Sequence, residues 1–171
     1  ALQKTVSHEA PSYRWSDFQK EASEQMVADV FSQILPGCST FRDNYYPINK
    51  SLKNLAENDL LVQYDNVLLV VEVKAGSFVY TAPLTDFENH IVSYQNLIEK
   101  ADKQCKSTYD YLLSSDEAII YNQDKSIKTR INMREIKDIF TISLTIDNIN
   151  DYATSVEYQY SVTPQIYSIN N

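Results

Sequence analysis

The chain has 171 residues, 43% hydrophobic and 22% charged, with a formal net charge of −8. That size and balance fit one globular domain with its own core. The acidity argues against a protein that grips nucleic acid over its whole surface, because phosphate contacts supply most non-specific affinity. No apolar run approaches the roughly 20 residues of a membrane-spanning helix; the longest, Val67 to Val71, is strand length.

The opening ALQKTVSHEA lacks the apolar stretch of a secretory signal. Cys38 and Cys105 lie far apart and read as reduced, buried thiols, with a disulfide as the alternative. Together these features point to a cytoplasmic location, and no Cys or His spacing suggests zinc. The missing initiator Met and the ending PQIYSINN suggest a domain cut from a longer protein.

Asp17 to Leu35 reads as a helix, capped by Ser16 or Asp17 and stopped by Pro36-Gly37. Phe18, Ala22, Met26, Val30 and Ile34 recur at four-residue steps and predict its buried stripe, widened by Val27 and Phe31. Residues 38–58 are polar and irregular, with a short strand near Thr40 to Tyr46. Asp59 to Tyr64 and Val67 to Ala75 read as two strands joined at Asp65-Asn66, a favoured two-residue hairpin turn. Both faces of these strands are apolar near the turn, which predicts a central position covered on both sides.

Phe87 to Leu113 reads as one long amphipathic helix, with Tyr94, Leu97, Ile98, Ala101, Cys105, Thr108 and Leu112 along its stripe. Strands are predicted at Ala118 to Asn122, Asp138 to Ile146, Val156 to Val162 and Gln165 to Ile169. Residues 125–137 hold five basic side chains, Lys125, Lys128, Arg130, Arg134 and Lys137, against Glu135. They read either as a phosphate-facing strip or as a solvated face. The order of elements predicts an α/β fold with a mixed central β-sheet flanked by helices.

The hairpin makes a geometric prediction. With Asp65-Asn66 at the turn, Tyr64 faces Val67, Val62 faces Leu69, Asp59 faces Glu72 and Glu57 faces Lys74. Side chains alternate along a strand, so Asp59, Glu72 and Lys74 share one face. Opposed like charges destabilise a strand pair, and burying a carboxylate costs several kcal/mol. A compensating cation is therefore expected: Lys74, a divalent metal, or both. The alternative is a partly exposed hairpin end with a Glu57–Lys74 ion pair.

Asn58-Asp59, thirteen residues before Glu72-Val73-Lys74 within ENDLLVQYDNVLLVVEVKAGSF, resembles the PD-(D/E)XK nuclease superfamily, in its restriction-endonuclease-like and NERD-like branches. Asn58 stands where the motif name has Pro. The resemblance implies a restriction-endonuclease-like core over residues 17–146, with residues 1–16 and 147–171 as extensions. It implies Mg²⁺, or Mn²⁺ in its place, held by Asp59, Glu72 and the Val73 carbonyl, with Lys74 activating water. Glu24, preferred over Glu21, would orient a water beside the ion from the first helix. Gln104 would contact phosphate or the outer shell of the metal from the later one, although Tyr109 breaks the family's Gln-x-x-x-Tyr spacing by one residue.

The implied activity is hydrolysis of phosphodiester bonds, in DNA, with a homodimer or further domains as partners. The competing expectation is a non-catalytic module that keeps the fold as a scaffold. His8 and His90 have no Ser or Cys partner at a recognisable spacing, so no His-based triad is expected. The thirteen tyrosines read mainly as strand and packing residues.

Overall fold

A computed structural model describes residues 15–49, 51–76 and 87–146. The sequence-predicted strands at 156–162 and 165–169, and His8, lie outside the described residues, as does the side chain of His90. Helix α1 (Trp15–Ile34) leads into β1 (Ser39–Ile48), β2 (Ser51–Tyr64) and β3 (Val67–Lys74). Helix α2 (Phe87–Tyr94) runs through a π-helical turn (Gln95–Glu99) into α3 (Lys100–Leu112). Strands β4 (Glu117–Tyr121), β5 (Ile127–Asn132) and β6 (Asp138–Thr145) complete the described residues.

These strands form one six-stranded mixed sheet, ordered β5-β4-β1-β2-β3-β6. Only β3 and β6 pair in parallel; the other neighbours are antiparallel. The α/β class and the mixed sheet flanked by helices are as the sequence predicts. Among the described residues, no helix is long and apolar enough to cross a membrane.

Period-two alternation along β2 and β3 splits the core in two. Leu61, Leu68 and Val70 pack with Cys105, Tyr109 and Leu112 of α3 and with Ala118, Ile120, Ile131 and Ile139 of the sheet. Leu60, Val62, Val71 and Val73 pack on the other face against Val27 and Ala28 of α1, with Phe31 and Leu35 beside them. This is why both strands read as nearly continuous apolar runs: each face has its own helix layer. Cys38 and Cys105 are both free thiols and belong to opposite layers.

Three sequence-based expectations need correction. First, the buried face of α1 is Ser23, Glu24, Val27 and Ala28, whereas Phe18, Met26, Val30 and Ile34 are about half exposed or more. A strict four-residue step overshoots a helical turn by about 40° each time, so a long row of such steps winds off any single face. Second, β2 begins at Ser51 rather than Asp59, because its polar first half pairs with β1. Third, the basic stretch contains strand β5, where a loop or helix face is the alternative expectation; Lys125, Arg130, Arg134 and Lys137 are exposed, as the solvated-face reading expects. Arg130 bonds Glu117 at 2.7 Å, Arg134 pairs with Asp116, and Lys128 donates to the carbonyls of Arg42 and Asp43.

Candidate functional site

The hairpin register is as the turn predicts, with Tyr64 opposite Val67 and Val62 opposite Leu69. Asp65 at the turn takes φ 51°, a left-handed conformation that Asp tolerates better than most residues. The ladder ends at Leu60 opposite Val71. Beyond that point β2 continues with β1 as its neighbour and β3 with β6. The expected pairs Asp59–Glu72 and Glu57–Lys74 therefore fall where the two strands part.

Parting strands strand their backbone groups, and a buried unpaired group costs as much as a lost hydrogen bond. Two side chains fill the gap. The Val73 N–H donates to Asp59 Oδ2 at 2.8 Å. Asn58 Nδ2 donates to the Val71 carbonyl and to Glu72 Oε1, each at 3.1 Å. Asn58 is wholly buried and its own carbonyl accepts from Asn44 at 3.3 Å. The Asn in place of the motif's Pro thus stitches the split in the sheet and holds one oxygen of Glu72. On the opposite side of β2, the register places Asp43 of β1 against Asp59, and Asp43 has φ 51°. The sheet is irregular on both flanks of Asp59.

Glu72 is 0% exposed and Asp59 5%. Lys74 Nζ lies 3.2 Å from Glu72 Oε2 and 3.9 Å from Asp59 Oδ2, so the three residues singled out in the sequence do converge. Burial, reinforced by the charge of Asp59, pushes Glu72 up to about 7, against the opposing pull of Lys74 and Asn58. Val73 is buried between them.

Helix α1 brings two more charges. The phase that packs Val27, Phe31 and Leu35 on the sheet carries Glu24 and Lys20 to the same side, one and two turns towards the N-terminus. Gln19 secures that end by donating to the Ala75 carbonyl at 2.9 Å. Glu24 is 2% exposed, and burial together with Asp59 pushes it up to about 7. Its Oε1 has no hydrogen-bond partner; Lys20 Nζ at 3.6 Å is a charge neighbour beyond hydrogen-bonding distance. Glu21, the other carboxylate considered on this helix, is exposed.

Lys20 was not singled out in the sequence. Its Nζ is 2.8 Å from Glu57 Oε1 and 3.9 Å from Asp59 Oδ1. Glu57 thus pairs with Lys20, where a Glu57–Lys74 pair was the alternative expectation. The usable signal was the i, i+4 spacing of Lys20 and Glu24, hidden by the misphased stripe.

A cavity of about 250 Å³ opens over Asp59, Val73 and Lys74, with Asn96, Lys100 and Gln104 on its far wall. The long helix supplies that wall at four-residue intervals, and its π-helical turn lies within it, a distortion often found at functional sites. Gln104 Oε1 is buried without a hydrogen-bond partner. Gly76 fits beneath this turn: a Cβ there would come within 3.0 Å of Leu97 Cδ2. Tyr109 is buried in the core cluster away from this wall. Among the described residues, no three or more His, Cys, Asp or Glu side chains are grouped to hold a metal ion.

No family model matches the chain, and neither a curated protein nor a solved structure matches it.

Proposed function

We propose that the chain is a metal-dependent nuclease of the PD-(D/E)XK type that hydrolyses phosphodiester bonds in DNA. The observation that carries the reading is the convergence of two almost fully buried carboxylates, Asp59 and Glu72, on the Lys74 ammonium, with Asp59 and Lys74 lining an open polar cavity. Two acids placed together inside a sheet repel each other and oppose its pairing. Sites that must hold a charged ligand accept that cost.

The donor set suits Mg²⁺, with Mn²⁺ as a substitute. Both prefer oxygen, and Mg²⁺ commonly takes one or two carboxylates and leaves its other positions to water and phosphate. Asp59, Glu72 and the Val73 carbonyl would hold the ion. The raised pKa of Glu72 fits a carboxylate kept short of positive charge. When bound, the ion supplies Lewis acidity and makes water a better nucleophile.

The remaining work belongs to side chains. Lys74, fixed by Glu72 and Asp59, reaches the cavity with an ammonium that orients the attacking water and offsets charge building on the phosphate. Glu24 offers an unpaired oxygen to a water on the α1 side. Gln104 offers its free carbonyl oxygen to a water or sugar hydroxyl and its amide N–H groups to phosphate. Asn58 keeps Glu72 in place from below.

The test is nicking of supercoiled plasmid in Mg²⁺ or Mn²⁺. Cleavage by the wild type and none by Lys74→Ala, with both proteins equally folded, is expected. Equal cleavage by the variant would remove Lys74 from the chemistry. The second reading, a non-catalytic scaffold, draws on the intramolecular pairing of Lys128, Arg130 and Arg134, which takes three cations of the basic stretch away from DNA. It predicts no cleavage by either protein.

A further inference from the structure

Lys20 bridges two hollows. The 250 Å³ cavity over Asp59 and Lys74 lies on one side of it. A second cavity of about 490 Å³, reaching Glu24, Arg42, Tyr45 and Lys128, lies on the other. Lys20 and Glu57, ion-paired at 2.8 Å, line both.

We propose that Lys20 is a displaceable counter-ion, which neutralises the carboxylate cluster in the metal-free protein and is expelled when a divalent cation binds, opening one continuous trough for a phosphodiester strand. The inference rests on the reading of Asp59 and Glu72 as cation ligands. It adds a residue and a rearrangement which that reading does not require.

Three observations carry it. The Lys20 ammonium sits among Glu57, Glu24 and Asp59 at 2.8, 3.6 and 3.9 Å, so three carboxylates face it on the α1 side of the site. Its two inner partners are buried and its own side chain is not: the Glu24 and Asp59 side chains are 2% and 6% exposed, whereas that of Lys20 is 48% exposed. Asp59 is shared between two lysines, Lys20 at Oδ1 and Lys74 at Oδ2. Lys74 is 18% exposed and is anchored by Glu72, so Lys20 is the one free to leave.

Electrostatics gives the direction. A dication ligated by Asp59 would lie within a few ångströms of the Lys20 ammonium, and like charges at that range repel strongly in a partly buried site. A lysine is a point charge on a flexible stem, so it can swing out without disturbing the helix. Burial works against the Lys20 ammonium, yet the hydrogen bond to Glu57 and the charges of Glu24, Glu57 and Asp59 outweigh it and hold its pKa above the ordinary lysine value. Those same carboxylates lose their need for Lys20 once a divalent ion is present. Released, the ammonium faces the trough, where a substrate phosphate would take the place of Glu57.

Two measurements test the proposal without substrate. Calorimetric titration with Mn²⁺ alone should show Lys20→Met binding about tenfold more tightly than wild type, because the competing cation is gone. Acylation of the wild type, read by mass spectrometry, should modify Lys20 severalfold faster when Mg²⁺ is added. This arm needs no variant to fold. Wild-type Mn²⁺ binding with equal or weaker affinity in Lys20→Met, or Lys20 acylation indifferent to Mg²⁺, would overturn the counter-ion role and leave the metal site standing. Absence of Mn²⁺ binding by both proteins would overturn the two together.

Discussion

Replacing Glu72 by glutamine should stabilise the metal-free protein above neutral pH. Glu72 is fully buried, and its carboxyl is pushed up to about 7 from an ordinary value of 4.5. Between those two values the native state keeps a proton that the unfolded chain has released. Stability therefore falls as pH rises through that window, and the whole penalty is present above it. At about 1.4 kcal/mol per unit, the shift amounts to about 3 kcal/mol. Glutamine removes that penalty. It also removes an anion beside Lys74, but Asp59 remains 3.9 Å away, and the Gln carbonyl can still accept from Asn58. The net gain should be about 1–3 kcal/mol at pH 8.5 and near zero at pH 4.5. Urea unfolding of both proteins in EDTA at the two pH values measures it. Saturating Mg²⁺, at about 100 times its dissociation constant, should add about 2.7 kcal/mol to the wild type alone and so narrow or reverse the order. A variant that is less stable than wild type at pH 8.5 without metal would refute the reasoning. It would mean that Glu72 is a structural ion-pair partner.

Other predictions follow from the same geometry. Asn58→Ala leaves the Val71 carbonyl and Glu72 Oε1 without their buried donor and should lower stability by about 2–3 kcal/mol in thermal or urea unfolding. Val27→Ala, at a residue 4% exposed, should cost about 2 kcal/mol, whereas Met26→Ala, at 48% exposure, should change unfolding by less than about 1 kcal/mol. Equal losses would contradict the helix phase described here. The buried Cys105 thiol, pushed up to about 12, should resist a thiol reagent in the folded protein while the half-buried Cys38 reacts. Labelling should give one thiol per native chain and two in denaturant.

The sequence made the hairpin legible because two-residue turns fix register, and register fixes which side chains share a face. Asp59, Glu72 and Lys74 could therefore be placed together before any coordinates. The stripe that runs from the π-helical turn into α3 was legible for a related reason: Leu97, Ala101, Cys105, Thr108 and Leu112 follow at three- or four-residue steps and are all buried. The α1 face was lost because its apolar residues outnumber its buried positions, and the polar residues Ser23 and Glu24 occupy two of them. Strand β5 was hidden because edge strands carry charge, which looks like loop composition. The divergence of β2 from β3 leaves no local signature. It appears only as two buried side chains, Asn58 and Asp59, in the place of ladder bonds. Lys20 was missed with the helix phase, since its role depends on which way α1 faces.

The central claim is that Asp59 and Glu72 share one divalent ion. The most direct measurement is a crystal structure with Mn²⁺, using its anomalous scattering to locate the metal. The account predicts a single strong peak bonded to carboxylate oxygens of both residues, with Lys74 beside it. A peak elsewhere, or none while Lys74 remains bonded to Glu72, would contradict it.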